Sequence, residues 1–274
     1  MELTDTHCHI QSVGALAGEE YTQALWDKAR ETNPEDILKR ARDASVTRLI
    51  CVGCTLPDSQ LAVDFVQARD TCWASVGIHP HEAHLYSGDQ QLRAQFSTLV
   101  AAPKVVAVGE CGLDYFYENS DKASQRTVLE FQIELALERN LPLIFHVRDA
   151  FDDFWPIFEK YYSKDKPIRG ELHSFTDSQA NLEKALGYGL YIGVNGIATF
   201  TKKPEQQEVY RSIPLTSLLL ETDAPFLTPV PYRGKICEPH YVRTTAEFLA
   251  TQRGEALEII AETTTSNARQ LFGI

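Results

Sequence analysis

Histidines and carboxylates recur in this chain at the ends of short apolar runs, a placement suited to holding divalent metal ions. His7 and His9 close the run that begins at Leu3, with Cys8 between them. His79 and His81 flank Pro80 just after Trp73–Gly77. Glu110 directly follows Val105–Gly109. His146 ends Leu143–His146, His173 ends Gly170–His173, and Asp223 lies just past Ser217–Glu221. Residues two apart on a strand point to the same side, so His7 and His9 can reach one ion while Cys8 points away. A carboxylate straight after an apolar run is costly to bury without a partner. The two oxygens of Glu110 can instead bridge two ions held close enough to act on one phosphate. A lone histidine at a strand end is usually a hydrogen-bonded structural residue, and one His-x-His is weak evidence. Recurrence at successive strand ends favours ligation by His7, His9, Glu110, His146 and His173. Asp223 can ligate an ion, orient the attacking water and take its proton.

These residues converge only if the strands that carry them are parallel and closed into a barrel, whose strand ends meet on one face. The sequence supports that architecture. Strand candidates are Leu3–His7, Arg48–Val52, Trp73–Gly77, Val105–Gly109, Leu143–His146, Gly170–His173, Leu190–Val194 and Ser217–Glu221. Helical patterns lie between them at Pro34–Ala44, Pro57–Arg69, Gln90–Val100, Gln125–Arg139, Phe151–Tyr162 and Asn181–Leu186. Pro34 and Pro57 suit helix starts. Two more helical patterns, Tyr241–Thr251 and Glu255–Leu271, close the chain and are expected to pack outside the barrel. Alternating β/α units over 274 residues predict an α/β fold, a single-domain TIM-type (β/α)8 barrel spanning 1–274 with extra C-terminal helices. The segment Gln11–Asn33 is long for a strand-to-helix connection. Its amphipathic stretch Tyr21–Arg30 is expected to fold over the mouth as a small helix.

The formal net charge of −12 argues against a protein that wraps duplex DNA by broad charge neutralisation. A nucleic-acid substrate would be contacted locally, with metal ions supplying positive charge. Six cysteines are scattered without a disulfide framework, which suits reduced thiols. Cys51 and Cys54 form a C-x-x-C, but no second one exists to complete a zinc site, and strand-end packing is the favoured reading. No apolar run is long enough to span a bilayer, and Met1–Ile10 lacks the pattern of a secretory signal. A cytoplasmic location is expected, with no membrane partner.

The ordered blocks Asp5–His9, Gly77–His81, Val108–Asp114, His146–Ala150, His173–Thr176 and Glu221–Leu227, with Arg233–Lys235 and Asn267–Phe272 after them, resemble those of the TatD-type deoxyribonuclease family. That family lies within the amidohydrolase-like superfamily of metal-dependent hydrolases. The resemblance implies a barrel with two divalent metal ions. His7, His9, Glu110 and Asp223 would hold the first, and Glu110, His146 and His173 the second. It also implies metal-dependent hydrolysis of DNA, including exonucleolytic trimming at strand ends. Magnesium is often associated with the family, whereas a histidine-rich ligand set favours zinc or manganese. Two departures stand out: the long Gln11–Asn33 segment, and Cys237 where asparagine is common.

Around this centre, His79 is expected to contact the substrate phosphate or stabilise the leaving group. His81, Arg148, Arg233 and Lys235 are expected to bind substrate, with a structural salt bridge the competing reading for the cations. The expected enzyme is a monomeric deoxyribonuclease whose metal-activated water loses its proton to Asp223. A metal-dependent ester or amide hydrolase, such as an aminoacyl-tRNA deacylase, is the rival enzyme. A non-catalytic metal-stabilised binding protein is the rival of another class, and the presence of Asp223 argues against it.

Overall fold

The computed structural model describes residues 1–15, 20–29, 33–117 and 119–274. Eight parallel strands run in chain order: β1 (Leu3–Cys8), β2 (Val46–Val52), β3 (Cys72–Val76), β4 (Val105–Asp114), β5 (Leu143–Arg148), β6 (Gly170–Leu172), β7 (Tyr191–Val194) and β8 (Leu218–Leu220). Each pairs with the next. The seam between β8 and β1 carries the single bridge Cys8–Ala224. Asp223 donates its backbone N–H to the His7 carbonyl at 2.8 Å, and His9 donates to the Ala224 carbonyl at 2.8 Å. The buried Asp5 carboxylate fastens the seam by accepting from the backbone N–H and the hydroxyl of Thr222 at 2.9 and 2.6 Å. The result is a nearly closed TIM barrel, the architecture expected from the sequence.

Helices α1 (Glu20–Asp27), α2 (Pro34–Asp43), α3 (Leu56–Gln67), α4 (Ala83–Tyr86), α5 (Gln90–Leu99), α6 (Lys122–Arg139), α7 (Phe151–Tyr161), α8 (Gln179–Gly187), α9 (Ile197–Phe200), α10 (Pro204–Ser212), α11 (Val242–Arg253) and α12 (Leu257–Phe272) surround the strands. Local chemistry sets several starts. The Asn33 side chain accepts from the Asp36 N–H ahead of Pro34, and Thr55 accepts from the Asp58 N–H, each satisfying a backbone donor left over in the first helical turn. The expected helix near Tyr21–Arg30 is α1, with Arg30 outside the described residues.

Strand alternation divides the core. Ile50, Val52, Val106, Ile144 and Leu219 cluster with Ala268, Leu271 and Phe272 of α12, while a larger cluster joins the strands to the surrounding helices. The first cluster closes one end of the barrel. The period of two then carries the β5 side chains from Ile144 to His146, toward the other end.

Several elements differ from the sequence reading, β5 among them, which runs on to Arg148. β4 continues through Glu110 to Asp114 rather than stopping at Gly109. Gly109 and Gly112 are places of close approach. A Cβ on Gly109 would lie 2.7 Å from Ile144 atoms, and one on Gly112 would lie 1.8 Å from the His146 carbonyl oxygen. β6 ends at Leu172, so His173 stands one residue beyond its strand. The helix α10 has no counterpart in the sequence reading. Its sequence is polar, with only Gln206, Val209 and Tyr210 buried, so its apolar periodicity is faint.

Candidate metal centre

The register of β4 against β5 slips by one residue between Val108 and Cys111. This bulge breaks the alternation and re-aims a side chain, as bulges near functional sites do. Glu110 is the residue that gains. Its carboxylate is buried and ringed by imidazoles: His7 Nε2 at 3.2 Å, His146 Nδ1 at 2.9 Å, His79 Nε2 at 3.6 Å and His173 Nε2 at 3.8 Å. Burial alone would raise its pKa. Electrostatic interaction with the facing His79, His7 and His173 imidazoles and the His146 hydrogen bond outweigh burial and hold it well below the usual carboxylate range.

The β8–β1 seam supplies the other half. His9 Nε2 lies 3.3 Å from Asp223 Oδ1, and His7 Nε2 lies 3.7 Å from the same oxygen. Asp223 occupies the left-handed region at φ +60°, which Asp tolerates better than most residues. Burial pushes the Asp223 pKa up, but the His9 hydrogen bond and the nearby His173 and His7 bring it below normal. His9 shows the converse. Burial would lower it, and the Asp223 hydrogen bond and charge raise it to about 9.

Carboxylates and carbonyls outside this ring fix the histidine rings. His9 Nδ1 sits 2.8 Å from the Val52 carbonyl, leaving Nε2 toward Asp223. His173 Nδ1 sits 3.0 Å from Glu221 Oε2, while Glu221 Oε1 accepts from the Ser174 N–H at 2.8 Å and the Asn195 amide at 3.0 Å. The absence of a side chain at Gly193 makes room, since a Cβ there would stand 2.3 Å from Glu221 Oε2. His146 Nε2 and His81 Nε2 lie 3.0 and 3.1 Å from Asp114 Oδ2. Burial notwithstanding, the His146 and His81 hydrogen bonds hold the Asp114 carboxyl well below its ordinary range. Despite burial, Glu221 raises His173 to about 10, and Asp114 and Glu110 raise His146 to about 9. His79 goes the other way: burial lowers it well below its usual value, so it stays neutral near pH 7.

His7 gives the test of whether metal fits. It is fully buried, and neither ring nitrogen makes a hydrogen bond. Such a group ordinarily finds a partner. Ligands sharing one ion at about 2.0–2.3 Å stand roughly 3–4 Å from each other, and the Nε2–oxygen separations here fall in that range. His7, His9 and Asp223 form one candidate metal-holding group, and His79, Glu110 and His146 another.

This cluster floors a cavity of about 790 Å³ whose walls include His9, Cys54, His81, Arg148, His173 and Asp223. A family model described as TatD related DNase matches residues 4–273. The chain belongs to this TatD-related DNase family. It is 37% identical over 272 residues to the uncharacterized metal-dependent hydrolase YabD of Bacillus subtilis, covering 99% of each chain. It is 36% identical over 246 residues to the 3'-5' ssDNA/RNA exonuclease TatD of Erwinia tasmaniensis, covering 88% of this chain and 93% of the other. The crystal structure of the TatD homolog YjjV from Escherichia coli superimposes with a TM-score of 0.84 at 27% identity, over 99% of this chain and 98% of that one.

In this TatD-family chain, the six metal candidates named from sequence come together, with His79 and His81 beside them. The predicted phosphate binders separate. Arg148 lines the cavity, with its guanidinium 4.0 Å over Phe116 and 4.8 Å over Tyr117. Arg233 stacks 4.0 Å over Phe200, itself a wall residue, and donates to the Thr228 carbonyl at 2.8 Å. Lys235 lies 5.2 Å from the Tyr232 ring, outside the lining. The long first segment reaches the mouth: Tyr21 of α1 stacks on Phe226 at 5.7 Å, and the Trp26 indole donates to the His9 carbonyl at 3.0 Å.

The sequence reading missed Glu221 and Cys54 as site residues. Glu221 had a signal. An acidic residue closing the apolar run Leu218–Leu220 must be paired if buried. Cys54 Sγ lies 3.8 Å from Glu110 Oε2, whereas Cys51 is buried in the core. The two cysteines of the C-x-x-C therefore occupy different environments.

Proposed function

We propose that this chain is a divalent-metal-dependent deoxyribonuclease that trims DNA from strand ends, using two ions gathered around Glu110. The observation that carries the reading is His7: a buried imidazole with unpartnered nitrogens, facing the shared carboxylate on the floor of an open cavity. His7, His9, Glu110 and Asp223 would hold one ion, and Glu110, His146 and His173 the other. Bound divalent ions would supply an acidified water and neutralise charge on the phosphate oxygens.

The remaining chemistry belongs to the protein. Asp223, its pKa held low, is ionised at neutral pH and accepts a proton from the attacking water. His79, kept neutral by burial, offers an N–H to a phosphate or leaving oxygen rather than a formal positive charge. Arg148 stands where it can pair with a phosphate, and its stacking on Phe116 and Tyr117 fixes its plane. The aromatic faces of Tyr21, Phe226 and Tyr117 at the mouth suit unpaired bases, which stack on any π-face. The strongly acidic chain suits an approach by a strand end better than wrapping of a duplex. The relative named as an exonuclease on single-stranded DNA and RNA supports the same reading. The described residues include no helix long and apolar enough to cross a membrane.

Turnover by metal-stripped and metal-restored protein tests this. Single-stranded DNA, duplex DNA and aminoacyl-tRNA should be offered side by side. The expected result is shortening of free-ended single strands, abolished by chelation and restored by metal. In the same assay Arg148→Ala should raise KM about tenfold or more, as loss of a charge-assisted contact worth about 1.5–3 kcal/mol would. Release of amino acids from tRNA, without DNA cleavage under any metal, would assign the chain to the ester hydrolases instead.

A further inference from the structure

The loop after β2 enters the metal centre in a way that the ligand set above does not use. Gly53 and Cys54 are tied to the site by backbone hydrogen bonds: Glu110 donates to the Gly53 carbonyl at 3.1 Å, and His79 donates to the Cys54 carbonyl at 2.9 Å. Asp58 on the first turn of α3 accepts from the Cys54 N–H at 3.0 Å. Asp58 also accepts from Ser12 Oγ at 3.2 Å and from Gln11 Nε2 at 3.3 and 3.4 Å. These bonds engage both Asp58 oxygens in holding the loop. The half-buried Cys54 side chain is thereby fixed against the cavity, with Sγ 3.8 Å from Glu110 Oε2. The buried His7 Nε2, which makes no hydrogen bond, lies 3.2 Å from that same oxygen. Ligand atoms of His9, Cys54 and Asp58 also lie within 4.8 Å of one another.

We propose that Cys54 is a sulfur ligand of this centre, donating to the ion shared by His7, His9 and Glu110. The inference rests on the metal-centre reading and adds to it a preference in metal. A soft thiolate favours zinc, cobalt or cadmium, whereas magnesium prefers hard oxygen donors and gains nothing from sulfur. Coordination breaks the S–H bond, forms one metal–sulfur bond and releases a proton to solvent, with no change of oxidation state. The other C-x-x-C member, Cys51, is buried in the core and takes no part.

Cobalt(II) is the probe, added to the metal-stripped full chain and followed by absorption. Wild type should show ligand-field bands of bound cobalt together with a near-ultraviolet sulfur-to-cobalt charge-transfer band. Cys54→Ser and Cys54→Ala should both lose the charge-transfer band while still binding cobalt. Both should bind cadmium about 10–100-fold more weakly by competition with a chromophoric chelator, a typical loss for disturbed metal sites, with magnesium affinity unchanged. Thermal unfolding of both variants checks that they remain folded. Ligand-field bands without a charge-transfer band in wild type would overturn the inference and leave the metal centre standing. Survival of the band, or of the cadmium affinity, in folded Cys54→Ser would overturn it equally. Failure of wild type to bind cobalt at all would overturn both.

Discussion

Asp223→Asn should lower kcat by about 10²–10⁴-fold, the usual contribution of general-base proton transfer, while metal content falls far less. Asparagine keeps the size and one ligating oxygen, and it tolerates the left-handed backbone at φ +60° as well as aspartate does. The Asp223 N–H bond to the His7 carbonyl is made by the main chain and survives the change. His7, His9 and Glu110 still surround the ion. What disappears is the negative charge beside His9 and the atom that accepts the proton. Steady-state kinetics on a single-stranded oligonucleotide, with metal analysis of the same preparation, separate the two effects. Near-normal turnover at full occupancy would remove Asp223 from the role and leave His79 as the next group to test.

Glu110→Gln should lose metal and rate together. The carboxylate is approached within 4 Å by His7, His79, His146 and His173, and these imidazoles keep it ionised far into acid. Glutamine removes that charge and turns an N–H₂ toward rings that need an acceptor or a cation between them. Removing a supporting partner typically costs about 10–100-fold in metal affinity. Removing the shared ligand should cost more than about 100-fold by the same measure. Titration of stripped protein with zinc or manganese, read against activity, follows both quantities. Retention of two tightly held ions by Glu110→Gln would disprove the bridging role.

The strand-end rule carried most of this site, because in a parallel barrel a strand's position in sequence also fixes where its end lies in space. His7, His146 and Asp223 follow from it directly. Glu110 follows for a different reason than the sequence suggested. It is not past the end of its strand but inside it, turned inward by a bulge that Gly109 permits against Ile144. Gly109 and Gly112 serve close approach of β4 to the β5 backbone. Glu221 carries a signal as an acidic residue closing an apolar run, but the partner it orients, His173, comes from beyond a different strand. Cys54 was illegible as part of the centre because its position depends on Asp58, Gln11 and Ser12 from separate segments. The apolar periodicity of α10 was too weak to mark a helix, although the contacts of Val209 and Tyr210 sustain one.

The location of bound metal tests the account most directly. Crystals of the protein loaded with zinc or manganese should show two anomalous-scattering peaks, one on either side of the Glu110 carboxylate. For zinc, nitrogen and oxygen ligands should lie at about 2.0–2.2 Å, with His7, His9 and Asp223 around one ion and His146 and His173 around the other. Absence of metal from this pocket at full loading, or ions bound elsewhere with Glu110 unliganded, would contradict it.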